Sequence, residues 1–204
     1  MARTHRKQQQ QRNTVAIVGD GQTESIYFFD VRDTDRPKHL TIFPDIPGRI
    51  GNYKGVLGRA IALTDEYDHV FALIDFDKVL QDNQQEAYSR DKKQAIAAGV
   101  IVLENNPCFE IWLLLHFLHT DKLFNNCKEV EESLRHKDRI PGYNKSEGAI
   151  KRAGLYKNYK DLLMARAIPN AKRLERDRED RGPKYPRAEI YRFFEWYYAN
   201  HQNT

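Results

Sequence analysis

The chain has 204 residues, of which 40% are hydrophobic and 30% charged, and carries a formal net charge of +4. That length supports one globular domain with a real core and at most a small appendage, and so modest a charge makes clustering of basic residues more informative than their total. The longest apolar stretch, residues 111–118, is interrupted by His116 and falls well short of the ~20 residues a membrane span needs; with no charged-then-apolar signal pattern at the start, a soluble, cytoplasmic protein is expected.

Residues 1–13 (MARTHRKQQQQRN) are basic, glutamine-rich and without an apolar face, which predicts a flexible tail. Residues 14–19 are apolar and β-branched, as in a strand buried on both faces of a parallel sheet. Gly19 and Gly21 flank Asp20 in a turn where positive φ is expected. From Gln22 onward Ile26 and Phe29 recur at helical spacing, with Thr23 as a plausible cap. Residues 40–43 form a second strand, ended by Pro44 and the Pro and Gly residues that follow. A helix over 56–67, a third strand over 70–74 ending in Asp75-Phe76-Asp77, a polar helix over 83–98 stopped by Gly99, and a fourth strand over 100–103 complete an alternation. This pattern predicts an α/β fold with a doubly wound, mostly parallel sheet.

Asn106 suits an N-cap and Pro107 a first helical position, so a helix is expected over 108–119, apolar nearly all round and therefore buried. Glu110 is its exception, a carboxylate near a helix N-terminus that would favour its charge. Cys108 and Cys127 lack CxxC spacing, and reduced thiols are expected. His116 and His119 have no acidic or cysteine partner in a metal pattern and read as core or surface histidines. Beyond Thr120 the chain reads as helical. Residues 146–167 are basic and tyrosine-bearing, 172–187 form a charge-dense loop, and Ile190, Phe193, Phe194 and Tyr197 make an aromatic stripe suited to core packing. The expected division is a tail over 1–13, an α/β core over 14–120, and a helical extension over 121–204 packed on that core.

A parallel sheet presents its strand carboxyl ends at one edge, where ligands bind. Asp20 follows the first strand and Asp75 and Asp77 end the third, so all three can converge there, with the two latter on one side of an extended segment. Such oxygen-rich sets suit a hard divalent cation, and two-metal sites stabilise both the attacking and leaving oxygens of phosphoryl transfer. The glycine turn lacks the GK[ST] ending of a P-loop and the full dinucleotide pattern, so neither nucleotide route is expected.

Taken together, GDGQTE (19–24), IDFD (74–77) and NPCFEIWLLLHF (106–117) resemble the RloB-like family. The resemblance implies a relative of the topoisomerase-primase (Toprim) fold, associated with phage-defence and restriction loci, in which acids after the first strand and a later DxD bind Mg²⁺ or Mn²⁺. Carried over by position, Asp20, Glu24, Asp75 and Asp77 become metal ligands and catalytic residues. Glu110 becomes a supporting acid, and Lys145, in Tyr143-Asn144-Lys145, a stabiliser of phosphate charge. Asp20 stands where the family pattern has glutamate, one methylene and about 1.5 Å longer in reach. The resemblance therefore implies a metal-dependent nuclease of antiviral, abortive-infection type with a separate ATPase partner. A non-catalytic nucleic-acid- or phosphate-binding regulatory subunit is the alternative. Lys151, Arg152, Lys157, Lys160, Arg166, Lys172 and Arg173 are the expected contacts to the phosphate backbone of DNA or RNA.

Overall fold

In the computed structural model, residues 13–45, 51–178 and 181–201 are described. The expected tail lies outside them except for Asn13, which opens the first strand. Strands β1 (Asn13–Val18), β2 (Leu40–Asp45), β3 (His69–Asp75), β4 (Val100–Asn106) and β5 (Arg187–Ala188) form one sheet in the order β2-β1-β3-β4-β5. All pairings are parallel except that of β5 with β4. This agrees with the doubly wound, Toprim-like expectation with a helical carboxyl-terminal part.

Strand alternation divides the core into two layers. Ala16, Val18, Val70, Ala72, Val100 and Val102 face α2 (Tyr53–Ala62), α3 (Phe76–Gln81) and α4 (Gln85–Ala97). Val15, Ile17, Phe71, Leu73 and Leu103 face the other way, onto α1 (Gln22–Asp35), α5 (Glu110–Leu115) and the carboxyl-terminal helices. The latter are α6 (Cys127–Leu134), α7 (Glu147–Ala153), a helical run made of α8 (Lys160–Leu162), a π-helical turn (Leu163–Ala167) and α9 (Ile168–Arg176), and α10 (Ile190–His201). Phe193 of α10 packs edge-on against Phe28 and Phe71, at ring separations of 5.0 and 5.2 Å. The aromatic stripe is thus core. His116 is buried beside it, with Nδ1 3.0 Å from the Trp112 carbonyl oxygen.

Several local expectations are corrected. Pro44 does not end β2 but lies within it; β2 is an edge strand, where a missing N–H costs no ladder bond. Strand β4 runs on to Asn106, which is therefore not a helix cap, and Pro107 follows through a cis peptide bond rather than opening a helix. The buried helix shrinks to Glu110–Leu115. Thr23 is not the cap of α1: Gly21 is, and no side chain bonds to the helix start. Residues 172–176, the second half of α9, are helix where a loop was expected, and β5 pairs with β4 at the sheet edge. Cys108 and Cys127 form a disulfide, not reduced thiols. No helix among the described residues is long and apolar enough to cross a membrane.

Candidate acidic site at the carboxyl edge of the sheet

Chain direction over the sheet reverses between β1 and β3, since β1 leads to β2 on one side and β3 lies on the other. A crevice opens at such a switch point, and the acids gather there. Carboxylate oxygens of Asp20, Glu24 and Asp75 all lie within 4.8 Å of one another. Asp20 sits in the turn after β1, Glu24 in the first turn of α1, and Asp75 at the last position of β3.

Each acid is held differently. Glu24 is buried and folds back over Gly21, where a Cβ would meet its Oε2 at 1.9 Å. A side chain at 21 would therefore push the Glu24 carboxylate out of this position. Its φ of −111° is ordinary, and Gly19 is likewise not among the positive-φ glycines, which corrects the turn expected from sequence. Asp75 Oδ1 accepts the backbone N–H of Phe109 at 2.8 Å, tying β3 to the NPCFE segment. Asp20 Oδ2 lies 3.3 Å from Lys78 Nζ.

Asp77 does not stand beside Asp75 on an extended strand, because β3 ends at Asp75 and Asp77 lies in the first turn of α3. Its backbone N–H bonds to the Pro107 carbonyl, its Oδ1 accepts from the Lys78 N–H at 2.7 Å, and its side chain lines a neighbouring cavity with Asn125 and Lys184. Glu110 is 1% exposed and accepts the Tyr143 hydroxyl at 2.8 Å. Lys145 Nζ reaches the same Glu110 oxygen at 3.0 Å and Glu131 at 3.5 Å. The disulfide borders this group, with Cys127 Sγ 3.0 Å from Glu110 Oε2 and 3.3 Å from Lys145 Nζ.

Burial, then the charge of Glu110, pushes the Glu24 carboxyl up to about 8, with Asp20 adding and Lys145 opposing. Burial, followed by Glu24, Glu110 and Asp20, raises Asp75 as well. Burial also raises Asp77, against the pull of Lys78. In all three the largest cause is burial, and neighbouring carboxylates add to it. A divalent cation would offset the repulsion among them, and a donor set of carboxylate oxygens is of the kind that could hold Mg²⁺ or Mn²⁺.

The basic residues expected to meet nucleic acid are spread over the helices of the carboxyl-terminal half. Lys151 pairs with Glu147, Lys160 with Asp35 at 3.4 Å, Lys172 with Glu195, and Arg173 with Asp177 at 3.7 Å. Arg166 donates to the Phe117 carbonyl at 3.0 Å. Arg152 and Lys157 are exposed. The structure therefore brings Asp20, Glu24 and Asp75 together with Glu110 and Lys145 close by, and does not gather the seven basic side chains at that point.

Sequence reasoning missed Asn105. It is fully buried, lies directly across from Asp75 in the β3–β4 register, and neither atom of its amide has a partner among the described residues. The available signal was alternation: if β4 continues past Leu103, Asn105 falls on the same face as Leu103.

Fold and acids together define an α/β protein with a carboxylate cluster at the switch point of a parallel sheet. Residues 15–195 match the family model described as RloB-like protein, and the chain belongs to that family. Neither the curated proteins nor the solved structures compared with it gave a match.

Proposed function

We propose that the chain is a Toprim-type nuclease that cleaves phosphodiester bonds of DNA or RNA in antiviral defence, with Mg²⁺ or Mn²⁺ as cofactor and a separate ATPase as partner. The observation that carries this reading is the convergence of Asp20, Glu24 and Asp75, whose oxygens lie within 4.8 Å of one another. A bound divalent cation supplies Lewis-acid stabilisation of a phosphoryl oxygen and lowers the pKa of water. Asp75, fixed by the Phe109 N–H, and Glu24, folded over Gly21, hold oxygen ligands in place. Lys145 keeps a positive charge beside the cluster, where charge develops on the phosphate. The defence setting and the ATPase partner rest on the family resemblance alone.

A second reading, a regulatory subunit that binds nucleic acid or phosphate without hydrolysis, is favoured by one observation. The Lys78 ammonium lies 3.3 Å from Asp20, at a position where the family pattern has the longer glutamate, and so supplies positive charge there without a metal.

The test is incubation of the protein with DNA and RNA in Mg²⁺ or Mn²⁺, with and without the neighbouring ATPase, against Asp75→Ala. Cleavage that disappears in the variant supports the nuclease. Binding without cleavage under every condition supports the regulatory subunit. Equal calorimetric Mn²⁺ binding by the wild type and an Asp75→Ala/Glu24→Ala variant would sink the metal site in both.

A further inference from the structure

A cavity of about 720 Å³ lies on the opposite side of the sheet from the acidic cluster. Asp75 continues the face of Phe71 and Leu73, whereas Glu104 shares the face of Val100 and Val102 and lines this cavity. The walls come from α4, β4, β5 and the chain on either side of β5. Four cationic side chains, Lys92, Arg178, Arg187 and Arg192, line it with three carboxylates, Glu104, Glu175 and Glu189.

Depth sorts these charges. The Glu104 and Glu189 side chains are only 4% and 8% exposed, while Lys92, Arg178 and Arg192 are 27%, 37% and 44% exposed. Glu104 is saturated at the floor, accepting from Tyr88 at 2.7 Å, Lys92 at 2.6 Å and the Arg187 guanidinium. Glu189 accepts the Glu104 backbone N–H at 3.0 Å. Glu175, at 38% exposed, is the one accessible acid, and it is engaged by Tyr191 and Arg192. A ligand entering the cavity therefore meets mostly positive charge.

The arginines also have donors to spare. Arg178 approaches Glu189 only at 3.6 Å, beyond hydrogen-bond length, and Arg192, which donates through Nε to Tyr191 at 3.3 Å and through Nη2 to Glu175, stands 3.9 Å from Glu189 and has its Nη1 left over. Arg187 is buried, its guanidinium lies 4.3 Å from the Phe76 ring centre, and its Nε has no partner among the described residues. Guanidinium groups in this state match the oxygens of a phosphate. The volume lies in the range of small-ligand sites and far exceeds a bare phosphate. Gln85 and Ser89, one turn apart on α4, add neutral hydrogen-bonding groups to the wall.

We propose that this cavity binds a phosphate ester of mononucleotide size, its phosphate held by Arg178 and Arg192 with Arg187 behind them. The ester is either a free mononucleotide or the terminal nucleotide of a strand. The site is separate from the acidic cluster and needs no divalent metal.

Calorimetry on the full chain in metal-free buffer tests this, with adenosine monophosphate, a 5′-phosphorylated dinucleotide, adenosine, inorganic phosphate and sulfate as probes. The monophosphate or the dinucleotide binds and adenosine does not; the tighter of the two identifies the source. Arg178→Gln/Arg192→Gln, both partly exposed positions, weakens binding about tenfold or more with an unchanged circular dichroism spectrum, and Asp75→Asn leaves it intact. Three results would overturn the proposal: no binding of either nucleotide at about 1 mM, equal binding by the double arginine variant, or sulfate or phosphate binding as tightly as the nucleotide. Loss of binding in Asp75→Asn would also overturn it, by moving the ligand to the acidic site. Because metal is absent throughout, failure here leaves the nuclease reading untouched, and failure of that reading leaves this one standing.

Discussion

Lys145 Nζ lies 3.0 Å from the Glu110 oxygen that also accepts the Tyr143 hydroxyl at 2.8 Å. A carboxylate that is 1% exposed is thus met by one lysine and one phenol. Lys145→Met leaves Glu110 with the phenol alone. Stability should fall by about 1–2 kcal/mol, less than for a fully buried pair because the lysine is partly in water. Since Lys145 lowers and Glu110 raises the Glu24 carboxyl, the Glu24 titration should move up in Lys145→Met and down in Glu110→Gln. Carboxyl-selective NMR reads both, and shifts of the same sign would contradict the arrangement.

The raised carboxyls make stability depend on pH. Glu24 is pushed up to about 8 and Asp75 is also raised, each by burial first and by neighbouring acids second. In the unfolded chain both lose their protons near ~4. Between that pH and about 8 the folded chain holds these carboxyl protons and the unfolded chain does not, so their contribution to stability falls as pH rises through this window, whereas His116, lowered to about 4 by burial, acts in the opposite sense below about 6.5. In metal-free buffer the urea midpoint should therefore drop from about pH 6.5 to about pH 8.5, above the range in which His116 titrates, and Glu24→Gln should flatten that slope. Mn²⁺ should act in the opposite sense, binding more tightly as the carboxyls ionise. Equal slopes for wild type and Glu24→Gln over that range would remove the crowding argument.

Asp75 and Asp77 are two residues apart yet stand in different places. Asp75 belongs to the group whose oxygens lie within 4.8 Å, while Asp77 sits in the first turn of α3 beside a neighbouring cavity. Asp75→Asn should weaken Mn²⁺ binding by about tenfold or more, the loss of a charged ligand. Asp77→Asn should weaken it by much less. Calorimetry on the two single variants separates them, and equal losses would mean that both acids reach the metal.

The four parallel strands and the pair of elements that carry the acids were legible because runs such as VAIV and VFALI are buried on both faces and can be little else. What lay beyond each run was not. The same apolar pattern is consistent with β3 ending at Ile74 or Asp77, and only the backbone bond from Asp77 to the Pro107 carbonyl shows the chain already turned into α3. The extension of β4 through Glu104, Asn105 and Asn106 was hidden because polar residues read as a strand's end. There they are buried by β5 and by the Arg187 pairing, which come from more than 80 positions away. Gly21 was read as a torsional need, whereas its cause is the folded-back Glu24 side chain, a contact no spacing rule contains. The disulfide, too, depends on α6 returning beside the NPCFE segment, which is tertiary information.

Residues 121–204 look like an appendage in sequence, yet their aromatic side chains fill the core of one face of the sheet. Phe193 is fully buried and meets Phe28 of α1 and Phe71 of β3 edge-on. Phe193→Ala deletes a ring from the middle of that layer, where α10 has no room to collapse onto a pleated surface, and should cost about 3–5 kcal/mol. Because one continuous cluster contains Val15, Phe71, Leu114 and Tyr197 alike, wild type and variant should each unfold in a single transition when tryptophan fluorescence and far-ultraviolet dichroism are followed together. Trp112 and Trp196 report from α5 and α10 respectively. Their signal changing ahead of the dichroism would mean that the carboxyl-terminal helices come away from the sheet first and form a cooperative unit of their own.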